Sequence, residues 1–194
     1  MKNILLIVDP QNDFITGSLA VEGAKEKMMK LSEYLIDQCG KYDFLCITSD
    51  THSKKHISFK ENGGIWPTHC VFETNGWFVP EYLSDAIEYN IQKGINHQGY
   101  WKGTENNKEE YSIFDNCEDG NTLSRQITEL IQDEGEVYID ICGIAGDYCV
   151  LESLKGLRKI IGDKYITVLT QFTPSIDGGE KLMNYIKEND LNYE

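Results

Sequence analysis

The motif GIAGDYCV, Gly143–Val150, places a cysteine behind two glycines and an acid, where an amphipathic pattern begins. A cysteine at a helix N-terminus lies in the partial positive charge of unpaired N–H groups, which favours thiolate. The same N–H groups can hold the oxyanion of a tetrahedral intermediate. Cys149 is therefore a candidate nucleophile, although most free cysteines are buried and inert. Cys46 and Cys142, inside apolar runs, take the inert reading, and Cys70 beside His69 stays ambiguous. In IVDPQNDF, Asp9 ends an apolar run, where a carboxylate can act as general base or merely order an Asp-Pro turn. Asp13 competes for the base role but lies further into the loop. Lys102, in GYWKG, either is a solvated surface charge or holds Cys149 as thiolate and keeps Asp9 ionised. The stretch TSDTHSKKHISF, Thr48–Phe59, gathers Asp50, His52, His56 and two lysines, although the chain has only four histidines. Alone, it reads either as a metal site or as a solvated polar loop.

These residues need a frame, and the apolar runs supply one. Ile4–Val8, Phe44–Thr48, the run from Val137 and the run from Tyr165 are continuous and rich in β-branched residues, as expected of parallel strands covered on both faces. A weaker strand is expected near Tyr100–Trp101. Helical spacing joins Met28, Leu31 and Leu35 within about Glu22–Gln38. It also joins Leu123, Ile127, Leu130 and Ile131 behind Asn121 as N-cap, Val150 with Leu154, Leu157 and Ile161, and Leu182 with Met183 and Ile186. The segment Lys60–Asn96 is aromatic and poorly periodic, and reads as a loop-rich excursion that walls a pocket. Strands alternating with helices imply right-handed βαβ units and a parallel sheet. Ligands of such sheets bind beyond the carboxyl ends of the strands, where the strand order reverses. Asp9, Asp50, His52 and Cys149 all follow strand ends, so the candidates converge on one edge.

The bulk properties narrow the function. A chain of 194 residues is expected to form one domain, 1–194. A net charge of −14 argues against nucleic acid or an anionic membrane as partner. The apolar start MKNILLIVDP is too short for an export signal or a membrane span, so the cytoplasm is the expected compartment. The six cysteines are then free thiols rather than disulfides, and no CxxC pair occurs. A homo-oligomer is compatible with the sequence.

Five blocks, VDPQNDFITGSLAVEGA, DTHSKKHISF, WPTHCV, KGTENNKEEYSIFDN and GIAGDYCV, stand in the order and near the spacing of the nicotinamidases. The chain thus resembles the nicotinamidase/pyrazinamidase branch of the isochorismatase-like cysteine hydrolases, from about Ile4 to beyond Val150. The resemblance implies an α/β fold of three layers, α/β/α, with a six-stranded, mostly parallel sheet. It implies an Asp–Lys–Cys triad on Asp9, Lys102 and Cys149. Lys93 also precedes a glycine, but only Lys102 stands at the family's distance before YSIF. A cis peptide at Ile144–Ala145 would turn a backbone N–H toward the oxyanion, making Ala145 and Cys149 the donors. A divalent metal would be held by Asp50, His52 and His69, with His56 as a fourth ligand or a residue supporting one. Zinc comes first, with manganese and iron also suited to mixed O/N ligands. Phe14 and Trp66 would sandwich the pyridine ring, and Tyr111 would add to the wall.

The implied activity is hydrolysis of nicotinamide to nicotinate and ammonia through a thioester, with the metal positioning the ring nitrogen. Its rivals are hydrolysis of another carboxamide or of isochorismate, a non-catalytic binding module on the same fold, and a thiol redox or peroxide sensor using Cys149 and Cys142. Isochorismatases generally lack the metal ligands, which counts against that substrate. Three features depart from the family pattern. Gly146 stands where threonine is common and would loosen the turn before Cys149. Gln171 replaces a frequent acid, and TNGWFVPEYL lacks a histidine often found near its end.

Overall fold

The four continuous apolar runs form strands β1 (Lys2–Val8), β2 (Phe44–Asp50), β4 (Val137–Gly143) and β5 (Ile166–Val168). The computed structural model describes residues 1–115 and 117–194; Asn116, which ends the KGTENNKEEYSIFDN block, lies outside the described residues. Two edge strands, β3 (Asn96–Lys102) and β6 (Asn192–Tyr193), complete a six-stranded sheet of order β3-β2-β1-β4-β5-β6. Every pairing is parallel. The order reverses between β1 and β4, so the switch-point crevice opens at Val8–Asp9 and Gly143–Ile144.

Successive side chains of β1 face opposite layers, as the two-residue period of a strand requires. Ile4, Leu6 and Val8 pack with Leu123 and Ile127 of α4 (Glu118–Glu134), Leu154 and Leu157 of α5 (Leu151–Ile161) and Leu182 and Ile186 of α6 (Glu180–Glu188). Leu5 and Ile7 pack with Met28, Leu31 and Leu35 of α2 (Ala24–Asp37) and with Leu83, Ala86 and Ile87 of α3 (Glu81–Gln92). A one-turn helix, α1 (Asn12–Ile15), follows β1. Each such aliphatic side chain taken out of water contributes about 1.5–3 kcal/mol. That burial on both faces is why β1 reads as an unbroken apolar run.

Two expectations are corrected. The Lys60–Asn96 excursion contains α3, whose buried face carries Leu83, Ala86, Ile87 and Asn90 at helical spacing. Asn90 hides the pattern by being polar. Its Nδ2 donates to Leu35 O (2.9 Å) and Ala86 O (3.0 Å), tying α3 to the end of α2. Helix α4 begins before Asn121, with Cys117 as N-cap, whose Sγ accepts from the Gly120 N–H at 3.2 Å. Glu118 and Asp119 then occupy the first turn, where the helix dipole favours acids. The Asp119 carboxylate also accepts the Trp101 N–H of edge strand β3 at 2.6 Å.

Candidate active site

Asp9 terminates β1 with a left-handed φ of 46°, a conformation rare outside glycine and common at functional sites. Its neighbour in β2, Thr48, holds it on both sides. The Asp9 N–H donates to Thr48 Oγ1 at 3.2 Å, and the Thr48 hydroxyl donates to Asp9 Oδ1 at 2.7 Å. The other oxygen, Oδ2, lies 2.9 Å from Lys102 Nζ. Lys102 ends β3 in register with Asp50 at the end of β2, and it is wholly buried. Its ammonium sits 3.0 Å from Asp50 Oδ1, 3.3 Å from Glu110 O and 3.6 Å from Cys149 Sγ. One cation therefore touches both carboxylates and the thiol.

Burial dominates the electrostatics of this group. It pushes the Cys149 thiol well above its ordinary range, and the nearby Lys102 ammonium offsets only part of the rise. The Asp9 carboxyl is raised too, by burial and by Asp50, against the pull of Lys102. Asp50 goes the other way, because His52 and Lys102 together outweigh its desolvation. Lys102 is driven well up, since Asp50, Asp9 and Cys149 overcome the cost of burying its charge. The Lys102 ammonium thus pulls both the Cys149 thiol and the Asp9 carboxyl toward their ionised forms, by less than burial pushes them the other way. A single ammonium shared with Asp50 does not repay the desolvation of two further anions.

Cys149 lies on a π-helical turn, Gly146–Val150, leading into α5. The Ile144–Ala145 peptide before it is cis. Ile144 N–H is bonded to Val8 O and Gly146 N–H to Pro174 O, each at 2.8 Å, whereas Ala145 N–H meets no main-chain carbonyl among the described residues. Ala145 and Cys149 line one cavity together with Phe14, Trp66, Tyr111 and His69. The cavity encloses about 390 Å³, counting its open mouth. Phe14 leans on the His69 ring, with centroids 5.5 Å apart. Trp66 Nε1 donates to Tyr111 Oη at 3.1 Å, and both rings contact Tyr148.

Asp50, His52 and His69 bring one donor atom each to within 4.8 Å of one another. Their mutual geometry suits a metal. His52 Nδ1 lies 2.8 Å from Gly103 O, and His69 Nδ1 lies 2.8 Å from Pro67 O. A carbonyl can only accept, so each ring carries a proton on Nδ1 and turns its Nε2 inward, the usual orientation of a ligating histidine. The two Nε2 atoms stand 3.0 and 3.4 Å from Asp50 Oδ2. His56 stays outside this trio and stacks on His52, with centroids 3.9 Å apart. Its Nδ1 accepts from Ser58 N–H at 3.2 Å, and its Nε2 is buried with no hydrogen-bond partner among the described residues. Asp13, the competitor for the base role, is committed elsewhere: Oδ2 accepts Cys70 N–H at 2.7 Å and Oδ1 accepts Ser18 N–H at 3.1 Å.

Several residues at the site had not been singled out from sequence. Gln11 is fully buried and clamps the Asp50 backbone, with Nε2 donating to Asp50 O and Oε1 accepting Asp50 N–H, each at 2.8 Å. Thr48, Glu110 and Tyr148 join it, and Glu109 and Ile176 line the cavity mouth. Of Gln11 the sequence shows only its place three residues beyond the end of β1, which does not reveal the partner.

No family model matches the chain. The nicotinamidase/pyrazinamidase of Mycobacterium tuberculosis is 31% identical over 172 residues, covering 86% of this chain and 84% of that protein. The nicotinamidase of Saccharomyces cerevisiae is 27% identical, covering 95% and 93%. Among solved structures, a pyrazinamidase of Pyrococcus horikoshii in complex with zinc superposes with a TM-score of 0.76 at 27% identity, covering 100% of this chain and 99% of that one.

Proposed function

The chain belongs to the nicotinamidase family, and from that membership we propose that it hydrolyses nicotinamide to nicotinate and ammonia through a thioester on Cys149. The observation that carries the proposal is the position of Lys102 Nζ. It contacts both Asp9 and Cys149, of which Cys149 lines the cavity, while touching Asp50 of the three-residue ligand cluster.

The electrostatics suggest how the residues share the work. A raised thiol and a raised carboxyl resting on one ammonium favour proton transfer between them over a standing thiolate. Asp9 takes the Cys149 proton as the sulfur bonds to the carboxamide carbon, and the carbonyl electron pair moves onto oxygen. The N–H groups of Ala145 and Cys149 receive that oxyanion, and the Ala145 N–H has no main-chain acceptor to give up among the described residues. Collapse breaks the C–N bond, and Asp9 returns its proton to the departing nitrogen, releasing ammonia and leaving the thioester. Asp9 then removes a proton from water as hydroxide adds to the thioester carbon, and returns it to sulfur as the C–S bond breaks, restoring the Cys149 thiol and giving nicotinic acid, which ionises to nicotinate. Lys102 keeps its charge throughout and steadies whichever of Asp9 and Cys149 is anionic. Phe14 and Trp66 confine the ring from the cavity walls, with Tyr111 beside Trp66.

Asp50, His52 and His69 fit a divalent ion, because both imidazoles are locked with Nε2 inward and a carboxylate stands between them. When bound there, the ion supplies a fixed electrophilic point for the pyridine nitrogen, directly or through water, and so orients the substrate. Zinc is the ion we assign, and manganese and iron also suit mixed O/N ligands. His56, stacked on His52, supports that ring. No helix among the described residues is long and apolar enough to cross a membrane, and we place the enzyme in the cytoplasm.

The test is ammonia release from nicotinamide by purified protein, beside a Cys149→Ala control and a chelator-treated sample, with isochorismate and unrelated carboxamides as comparison substrates. Release that depends on Cys149 and weakens on chelation supports the proposal. No release from metal-replete protein overturns it.

A further inference from the structure

We propose that Glu110 is a positioning residue whose buried carboxylate fixes the Gly103 turn, and through it both His52 and Lys102. The inference rests on the metal reading above and extends it to a residue outside the ligand set. Glu110 is only 1% exposed, an uncommon state for a carboxylate unless its oxygens are engaged. Both are. Oε1 pairs with the half-exposed Lys108 ammonium, and Oε2 accepts the Gly103 N–H at 2.9 Å.

A continuous chain of hydrogen bonds leads from that carboxylate to the ligands. Gly103 N–H donates to Glu110, and Gly103 O accepts from His52 Nδ1 at 2.8 Å, which leaves His52 Nε2 facing Asp50. The main-chain carbonyl of Glu110 also accepts from Lys102 Nζ at 3.3 Å. One residue thus bonds the turn between Lys102 and the ligand cluster from its side chain, and Lys102 itself from its backbone. The turn has no slack. Gly103 adopts φ +67°, and a Cβ there would lie 2.4 Å from His52 Cε1 and 2.8 Å from Asp50 Oδ1. Any drift of the turn is therefore transmitted to both ligands. Groups that orient a metal-binding imidazole in this way commonly change metal affinity by 10–100-fold when removed.

The experiment measures zinc affinity by competition with a chromophoric chelator for the wild type, Glu110→Ala and Glu110→Gln, together with hydrogen exchange at the Gly103 amide. Glutamine keeps an oxygen that can accept the Gly103 N–H, whereas alanine does not. The expected result is a 10–100-fold weaker zinc affinity in E110A with loss of protection at Gly103, and E110Q within about threefold of wild type on both readings. If E110A does not fold, Glu110→Met, close in volume but without an acceptor oxygen, takes its place. Wild-type zinc affinity in the variant lacking the acceptor overturns the role of Glu110, as does an equal loss in both variants. A wild type that binds no zinc overturns the metal reading itself, and the proposal with it.

Discussion

Replacing Gly103 by alanine perturbs the ligand cluster through a single methyl group, and its cost can be worked from the structure. The residue sits at φ +67°, where an L side chain is strained by about 1–2 kcal/mol. The new Cβ would stand 2.4 Å from His52 Cε1 and 2.8 Å from Asp50 Oδ1, so the imidazole must retreat. Retreat loosens the 2.8 Å bond from His52 Nδ1 to Gly103 O, worth about 1 kcal/mol. The sum is about 2–3 kcal/mol of lost stability. Displacing His52 from its ligating position should separately weaken zinc binding by about 10–100-fold, equivalent to about 1.4–2.7 kcal/mol. Chemical denaturation reads the first quantity and chelator competition the second. Gly94→Ala is the control: Gly94 has φ +91° but nothing within 4 Å of the added Cβ. It should lose about 1–2 kcal/mol of stability from backbone strain alone and keep wild-type zinc affinity. If G103A and G94A behave alike, with zinc binding untouched in both, the reasoning from close approach is wrong.

Cys149→Ala should cut ammonia release at least about a thousandfold, as loss of a covalent nucleophile does, while zinc affinity stays at the wild-type value; turnover near wild type would remove the thioester from the mechanism. Lys102→Met leaves Asp9 and Asp50 buried without their shared ammonium, so urea titration should show a loss of about 3–5 kcal/mol, and unchanged stability would contradict the charge arrangement described here. Dialysis against a chelator should abolish most activity, with zinc restoring it, and full activity in a sample shown by elemental analysis to hold no metal would refute the role given to Asp50, His52 and His69.

What the sequence reveals follows from how each element is buried. Strands β1, β2, β4 and β5 have neighbours on both edges and helices on both faces, so their apolar runs identify them. Strand β3 is paired on one side only, and Tyr100 and Lys102 are its fully buried members. One of those is a charge, so β3 reads as weak although it is as long as β1. Strand β6 is two exposed residues that pair only with β5, and no periodicity can announce it. Helix α3 was obscured because Asn90 on its inner face satisfies the carbonyl of Leu35 instead of filling apolar space. At the site, the residues that react or ligate can be read from their chemistry and their place at strand ends. Gln11, Thr48 and Glu110 cannot, because each acts by hydrogen-bonding a backbone or a neighbouring side chain whose position only the folded chain defines.

The departures from the family pattern illustrate the same limit. From sequence, Gly146 promised a looser turn before Cys149. In the structure the space is already filled, since a Cβ there would lie 2.2 Å from Ser175 Oγ and 3.0 Å from Thr173 Cγ2. The Gly146 N–H donates to Pro174 O at 2.8 Å, and the Asp147 carboxylate accepts the N–H groups of Ile176 (2.9 Å) and Asp177 (3.2 Å). The 173–177 loop is thereby bonded along the turn, and Ile176 reaches the cavity that Cys149 lines. Gln171, by contrast, is exposed and outside the set of residues lining that cavity. A glycine that looks permissive in the sequence is thus the condition for close packing by a loop from elsewhere in the chain. That loop brings Ile176 to the cavity, so substrate preference, read as relative ammonia release from different carboxamides, should respond to changes at Ile176 more than to changes at Gln171.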